Sequence, residues 1–234
     1  MYRKLIEPKL SESLIIGGLL ALIGGGLDAY TYTTRGGVFA FAQTGNILLL
    51  SIHIFDLDYH EALRYVWPIF AFMIGTYVGL EIKHFFAKLR MRRSIRINEQ
   101  QILLLINAGL LLVIGWIPLG EMDFIANLIV SFVCAMQLQT ITRLKGRNFM
   151  STMQTGNLRL GVINFFNFRV THSLYDLSSA GLYFLIIAIF ISGASFCTYL
   201  VHMIGKWAIL FPFALTCLIA LILFLEETPK KNTK

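Results

Sequence analysis

The residues best placed to do chemistry in this chain form a four-residue string that occurs twice. Gln43-Thr44-Gly45-Asn46 returns 111 residues later as Gln154-Thr155-Gly156-Asn157. Each copy sits in a hydrophobic stretch and leads into further apolar residues, Ile47-Leu48-Leu49-Leu50 after the first and Leu158-Arg159-Leu160 after the second. Unpaired polar groups in hydrocarbon cost several kcal/mol. Two copies in matching places therefore point to an internal repeat whose halves both carry polar atoms to membrane depth, as a pathway or a binding site would need.

The residue types suggest how. Gly45 and Gly156 open backbone angles closed to other residues. Thr44, Thr155, Asn46 and Asn157 favour turns and helix starts, because their side chains bond nearby backbone. The expected local structure is a descending segment, a turn at the motif and a short helix leaving the membrane. A helix over Ile47–Ile54 would be ~12 Å long, so it would start near the midplane of ~30 Å of hydrocarbon. Free N–H groups and the positive end of the helix dipole would point there, with Gln43 and Gln154 beside them. Two such ends facing each other would favour an anion or a neutral polar solute over cations and protons. The structural alternative is a packing kink in a full span, with Gly45 allowing close helix approach.

Other polar residues lie in apolar surroundings. Asp28, near the outer end of the first apolar run, needs a partner or water. Either it pairs with Arg35, seven residues on if the helix continues, or it faces a vestibule and takes a cation or proton. Gln139 stands 111 residues beyond it, so the site would be asymmetric. Gln137 and Gln139 would lie at the opposite mouth. Arg159 either attracts an anion inside the membrane or snorkels to its face. Glu81, Lys83 and His84 read as an interfacial charge cluster. The histidines show no metal-ligand spacing, and Cys134, Cys197 and Cys217 read as small buried hydrophobes. No metal or cofactor is expected.

These side chains must be held by membrane-spanning helices. The 234 residues are 56% hydrophobic and only 14% charged, where a soluble domain carries roughly 25%. The mean hydropathy is +0.69. The net charge of +7 lies in short segments flanking apolar runs, which encodes membrane orientation rather than nucleic-acid binding. The first apolar run reads as an uncleaved span.

Six long apolar stretches stand out, at Leu14–Tyr32, Tyr65–Phe86, Ile102–Leu119, Phe124–Ile141, Leu182–Ile204 and Trp207–Leu225. The shorter Val38–Ile54 and Phe149–Phe166 contain the repeated motif. If these two crossed the membrane, the basic segment Lys88–Arg96 or both termini would fall on the wrong side. If both dip in and return, the termini, Lys88–Arg96, the Arg143/Lys145/Arg147 cluster and Arg169 are all cytoplasmic, and only Arg35, Arg64 and Lys206 face out. The sequence thus predicts a single all-α polytopic membrane domain over residues 1–234. It would hold six transmembrane helices plus two re-entrant half-helices, with a short basic tail at 227–234. The halves, about 12–120 and 122–226, would enter from opposite faces as an inverted-topology repeat. Phe72-x-x-Gly75 and Phe190-x-x-Gly193 are a second matching landmark. Gly75-x-x-x-Gly79 has the spacing for close helix packing, within the chain or in a homo-oligomer.

The strings Gly25-Gly26-Leu27-Asp28-Ala29-Tyr30-Thr31-Tyr32, Arg35-Gly36-Gly37-Val38-Phe39-Ala40 and Gln43-Thr44-Gly45-Asn46 resemble the YoaK-like family of uncharacterised bacterial transmembrane proteins. Ala135-Met136-Gln137-Leu138-Gln139-Thr140 and Thr152-Met153-Gln154-Thr155-Gly156-Asn157-Leu158-Arg159 are similar to its second signature. The resemblance implies a bacterial cytoplasmic membrane and supplies no substrate.

The functional expectation is a channel or secondary transporter for a small polar or anionic solute, with membrane lipids around it and its pathway at the two motifs. A non-transporting scaffold or regulatory protein is the alternative. An intramembrane enzyme is disfavoured, because HExxH, GxSxG and paired intramembrane carboxylates are missing. A pump is disfavoured because there is no P-loop.

Overall fold

A computed structural model describes residues 13–92, 98–140, 143–144, 147–148 and 153–226. Its helices are α1 (Leu14–Thr34), α2 (Gln43–Phe55), α3 (Tyr59–Arg92), α4 (Glu99–Trp116), α5 (Asp123–Thr140), α6 (Gln154–Thr171), α7 (Leu174–Ile204) and α8 (Leu210–Glu226), with a 3-10 turn at Gly205–Ile209 between the last two. A two-residue ladder pairs Arg143 with Asn148 and Leu144 with Arg147. The basic tail at 227–234, residues 93–96 of the basic segment Lys88–Arg96, and the lead-in Phe149–Thr152 lie outside the described residues.

Helices occupy all six stretches expected to be long and apolar. Five runs are long and apolar enough to cross a membrane, and the last, Leu174–Leu225, holds both α7 and α8. These apolar helices suit a multi-pass membrane protein. α1 is the central element, buried along most of its length. Its Leu20, Ile23 and Leu27 share a core with Ile114 of α4, Val130 and Val133 of α5, Ile186 of α7 and Ile219 of α8. Large apolar side chains on α2, α3 and α6, such as Leu48, Phe70 and Phe165, point outward, as a lipid-facing surface requires.

Packing partners come in matched sets. α1 packs on α7 as α5 packs on α3, α2 lies on α3 as α6 lies on α7, and α4 meets α5 as α8 meets α1. Glycines allow the two closest crossings. A side chain at Gly193 of α7 would strike the backbone of Leu22 in α1, and one at Gly75 of α3 would strike the backbone of Phe132 in α5. Gly79 lies in the same crossing, against Gln139 and Met136. The Gly75-x-x-x-Gly79 pair thus serves packing within the chain.

The motif segments differ from the expected shape in one respect. The turn does not fall at Gln-Thr-Gly-Asn: in both copies the motif is itself the first helical turn, preceded by the non-helical segment 35–42 in the first copy and by non-helical Met153 in the second. α2 is accordingly 13 residues long rather than eight, and α6 is 18 and continues past Phe166 to Thr171. Thr and Asn side chains satisfy helix N-termini as readily as turns, which is why residue preference alone could not place the boundary.

Candidate functional site

The site begins where α1 ends. Arg35 leaves the helix, Gly36 and Gly37 take positive φ of 78° and 74°, and the chain reverses. It then runs back along α1 until Asp28 Oδ1 accepts hydrogen bonds from the N–H groups of Phe41 (3.0 Å) and Ala42 (3.2 Å). Asp28 lies six residues before Thr34, so α2 starts roughly 9 Å below the end of α1 at 1.5 Å per residue. α2 returns toward the same end. His53 stacks on Tyr65, whose neighbour Arg64 donates to Gly36 O at 3.0 Å. The segment and α2 therefore form a hairpin that dips into the bundle and comes back.

Non-helical backbone survives at such depth only when its polar groups are paired. Here side chains from three helices do the pairing. Asn46 Nδ2 donates to Phe39 O at 2.7 Å. Ala40 N–H donates to Thr31 Oγ1 at 3.4 Å, and Ala40 O accepts from Ser131 Oγ at 2.6 Å and Gln43 Nε2 at 2.8 Å. Cys134 Sγ donates to Phe41 O at 3.3 Å, and Gly45 N–H closes on Ala42 O at 3.2 Å. With Asp28 on two N–H groups, every backbone polar group from Ala40 to Ala42 has a partner.

The two copies of the motif share one geometry. Asn46 Nδ2 lies 3.0 Å from Gln43 Oε1, and Asn157 Nδ2 lies 3.1 Å from Gln154 Oε1. Asn46 and Asn157 are both buried, at 0% and 2% exposure, whereas Thr44 and Thr155 are exposed. Ala42 and Met153, the residues before the helices, make no side-chain cap bond. Asn46 Oδ1 is buried without a partner among the described residues. The start of α2 thus combines a helix N-terminus with an unpaired amide acceptor that is buried out of contact with solvent. Arg159, one turn into α6, is exposed. The two starts do not pack on each other, because α2 and α6 each lie against the helix that follows.

The expected Asp28–Arg35 pairing is not formed. It assumed that α1 continues through residue 35, but the reversal at Gly36 and Gly37 turns Arg35 away. Arg35 is fully buried and forms an ion pair with Asp123 Oδ1 at 3.0 Å. Its guanidinium also donates to the carbonyls of Ile114, Ile117 and Pro118 at the end of α4 and to Tyr30 Oη. It serves as a cap for carbonyls that a helix end leaves without partners. Gln137 does not line a mouth, because it is buried and donates to Leu20 O at 3.3 Å.

The sequence reading missed three contributors from α5. Asn127 donates to Arg35 O at 2.8 Å, and Ser131 and Cys134 hold the descending segment. Their spacing of four and three residues puts them on one helix face. A polar stripe on an otherwise apolar helix was the signal available.

Residues 16–222 match the model of a family described as "Protein of unknown function (DUF1275)", which is the YoaK-like family. Neither a curated protein nor a solved structure matches the chain.

Proposed function

We propose that this chain, which belongs to the DUF1275 family of unknown function, is a channel or secondary transporter for a small polar or anionic solute. One observation carries the reading: a non-helical segment whose backbone is paired from Ala40 to Ala42 delivers the start of α2, with the unpaired buried acceptor of Asn46, into the interior of the bundle. Discontinuous helices whose N-termini end inside a membrane are a recurrent way to bind solute there.

The topology is part of the proposal. Six helices span, α2 and α6 enter and return, and the halves are inverted repeats with both termini in the cytoplasm of a bacterium. The matched packing of α1 with α7 and of α5 with α3 supports this, as does the common form of both motif turns. The separate positions of α2 and α6 favour two binding points along a path over one shared centre.

Flux in proteoliposomes tests the reading, with panels of small neutral and anionic solutes. Asn46→Asp should slow an anion more than a neutral solute, because it adds a carboxylate beside the helix start. Equal flux of every solute through wild-type vesicles and empty vesicles would overturn transport.

A second reading, a non-transporting scaffold, draws on one specific fact. Asp28, Gln43 and Asn46 all spend hydrogen bonds on the chain's own backbone. Under that reading Thr44→Cys in intact vesicles stays closed to water-soluble thiol reagents from both sides.

A further inference from the structure

The two oxygens of Asp28 have different surroundings. Oδ1 accepts from the N–H groups of Phe41 and Ala42 and so holds the descending segment. Oδ2 makes no hydrogen bond or ion pair among the described residues. It is also not sealed in. Asn46, Asn107 and Asn127 carry unpaired atoms shut off from solvent, whereas Oδ2 keeps accessible surface on a partly exposed side chain. Ala42 and Gln43 are partly exposed too, and Thr44 is exposed. The free oxygen therefore opens at the start of α2.

No opposite charge stands beside it among the described residues. Segment 36–42 and the first turn of α2 carry no titratable side chain. From α5 the titratable group within its electrostatic reach is Cys134, which donates to Phe41 O. α7 brings Cys197 against Gly26, two residues away. On α1 itself, Tyr32 stacks on Phe39, and Tyr30 accepts from Arg35, whose charge is taken by Asp123. Lys206, on the turn before α8, is held at the carbonyls of Trp116 and Ile117.

An ionised carboxylate at membrane depth without a partner is costly. A proton removes that cost with a single bond. A metal cation would need several oxygens around it, and no group of three metal-ligating side chains is gathered among the described residues. An O–H bond formed at Oδ2 breaks nothing, because Oδ1 still accepts from both N–H groups. Protonation changes only what the start of α2 offers. The local charge goes from −1 to zero, and Oδ2 turns from acceptor to donor. An anion arriving there is repelled by the first form and receives a hydrogen bond from the second.

We infer that Asp28 Oδ2 is a proton-binding site and that the proton and an anionic solute are taken up together, each favouring the other. This rests on reading the start of α2 as the place where the solute binds. Infrared difference spectroscopy of the purified full-length protein in ester-free detergent tests it without requiring flux. A carboxylic-acid carbonyl band, lost in Asp28→Asn, should grow about twofold or more when chloride, nitrate or formate is added at fixed pH. Aspartate labelled with carbon-13 at its side-chain carboxyl assigns the band even if the variant unfolds. No aspartate band over the pH range where the protein stays folded overturns the inference, as does a band that none of the three anions changes. The same anions in proteoliposomes, under a pH gradient with the voltage clamped, separate this from transport. An anion-dependent band without flux upholds the proton site and removes transport. Flux that ignores the pH gradient, with an unchanging band, upholds transport and removes the proton site.

Discussion

At the start of α2, the carboxylate of Asp28 grips two backbone N–H groups, and Ser131 and Cys134 reach across from α5 to hold two carbonyls. The equivalent surroundings of α6 are built from different residues. The crossing of Gly193 on Leu22 corresponds to that of Gly75 on Phe132, so α1 and α5 correspond with an offset of 110 residues. Burial along 21–30 repeats along 131–140 in the same register. Leu138, rather than Gln139, therefore stands where Asp28 stands. Ala21 and Gly24 stand where Ser131 and Cys134 do. The motif turns themselves match at 111, and the glycine crossings of α3 and α7 at 118. The four-residue motif thus specifies a helix start, while the packing around it decides which chemistry holds that start in place.

The largest effect expected from this contrast is at Asp28. Asp28→Leu, which copies the other half, leaves the N–H groups of Phe41 and Ala42 unpaired. Two hydrogen bonds are lost and two buried donors left bare, a destabilisation of roughly 2–5 kcal/mol. Thermal unfolding in detergent should show a large drop, most of it recovered by Asp28→Asn, which keeps an acceptor. A change no larger than that of Leu138→Ala would mean that the carboxylate does not hold the segment.

Asn46 and Asn157 come next. Both bond the motif glutamine, but Asn46 also holds Phe39 O at 2.7 Å. Asn46→Ala should cost about 1–3 kcal/mol through that orphaned carbonyl. The same measurement on Asn157→Ala compares the two anchors directly, and a clearly greater loss at Asn157 would reverse the proposed inequality.

The smallest effect on stability is expected at the exposed threonines, within about 0.5 kcal/mol. Their value is directional. If the halves are inverted, Thr44→Cys should react with a membrane-impermeant thiol reagent from the outer side and Thr155→Cys from the cytoplasmic side, on a background with Cys217 replaced. Reaction of both from one side would break the inverted arrangement.

Residue preference went some distance toward this structure. Thr and Asn beside Gly marked both places where a helix starts, and the paired glycines at 36 and 37 mark the reversal in hindsight. Spacing on α5 carried Asn127, Ser131 and Cys134 on one face without saying what that face met.

The sequence by itself determined a set of helices suited to a membrane, because a chain with so few charges has little else with which to face water. It also determined where the long helices run, since each needs an apolar stretch long enough to cross. Only the tertiary structure decided the partners. Asp28 meets backbone 13 and 14 residues on, and Arg35 meets Asp123 at a separation of 88 residues. Hydrogen bonds act over about 3 Å, so their partners depend on the path of the folded chain and not on closeness along it.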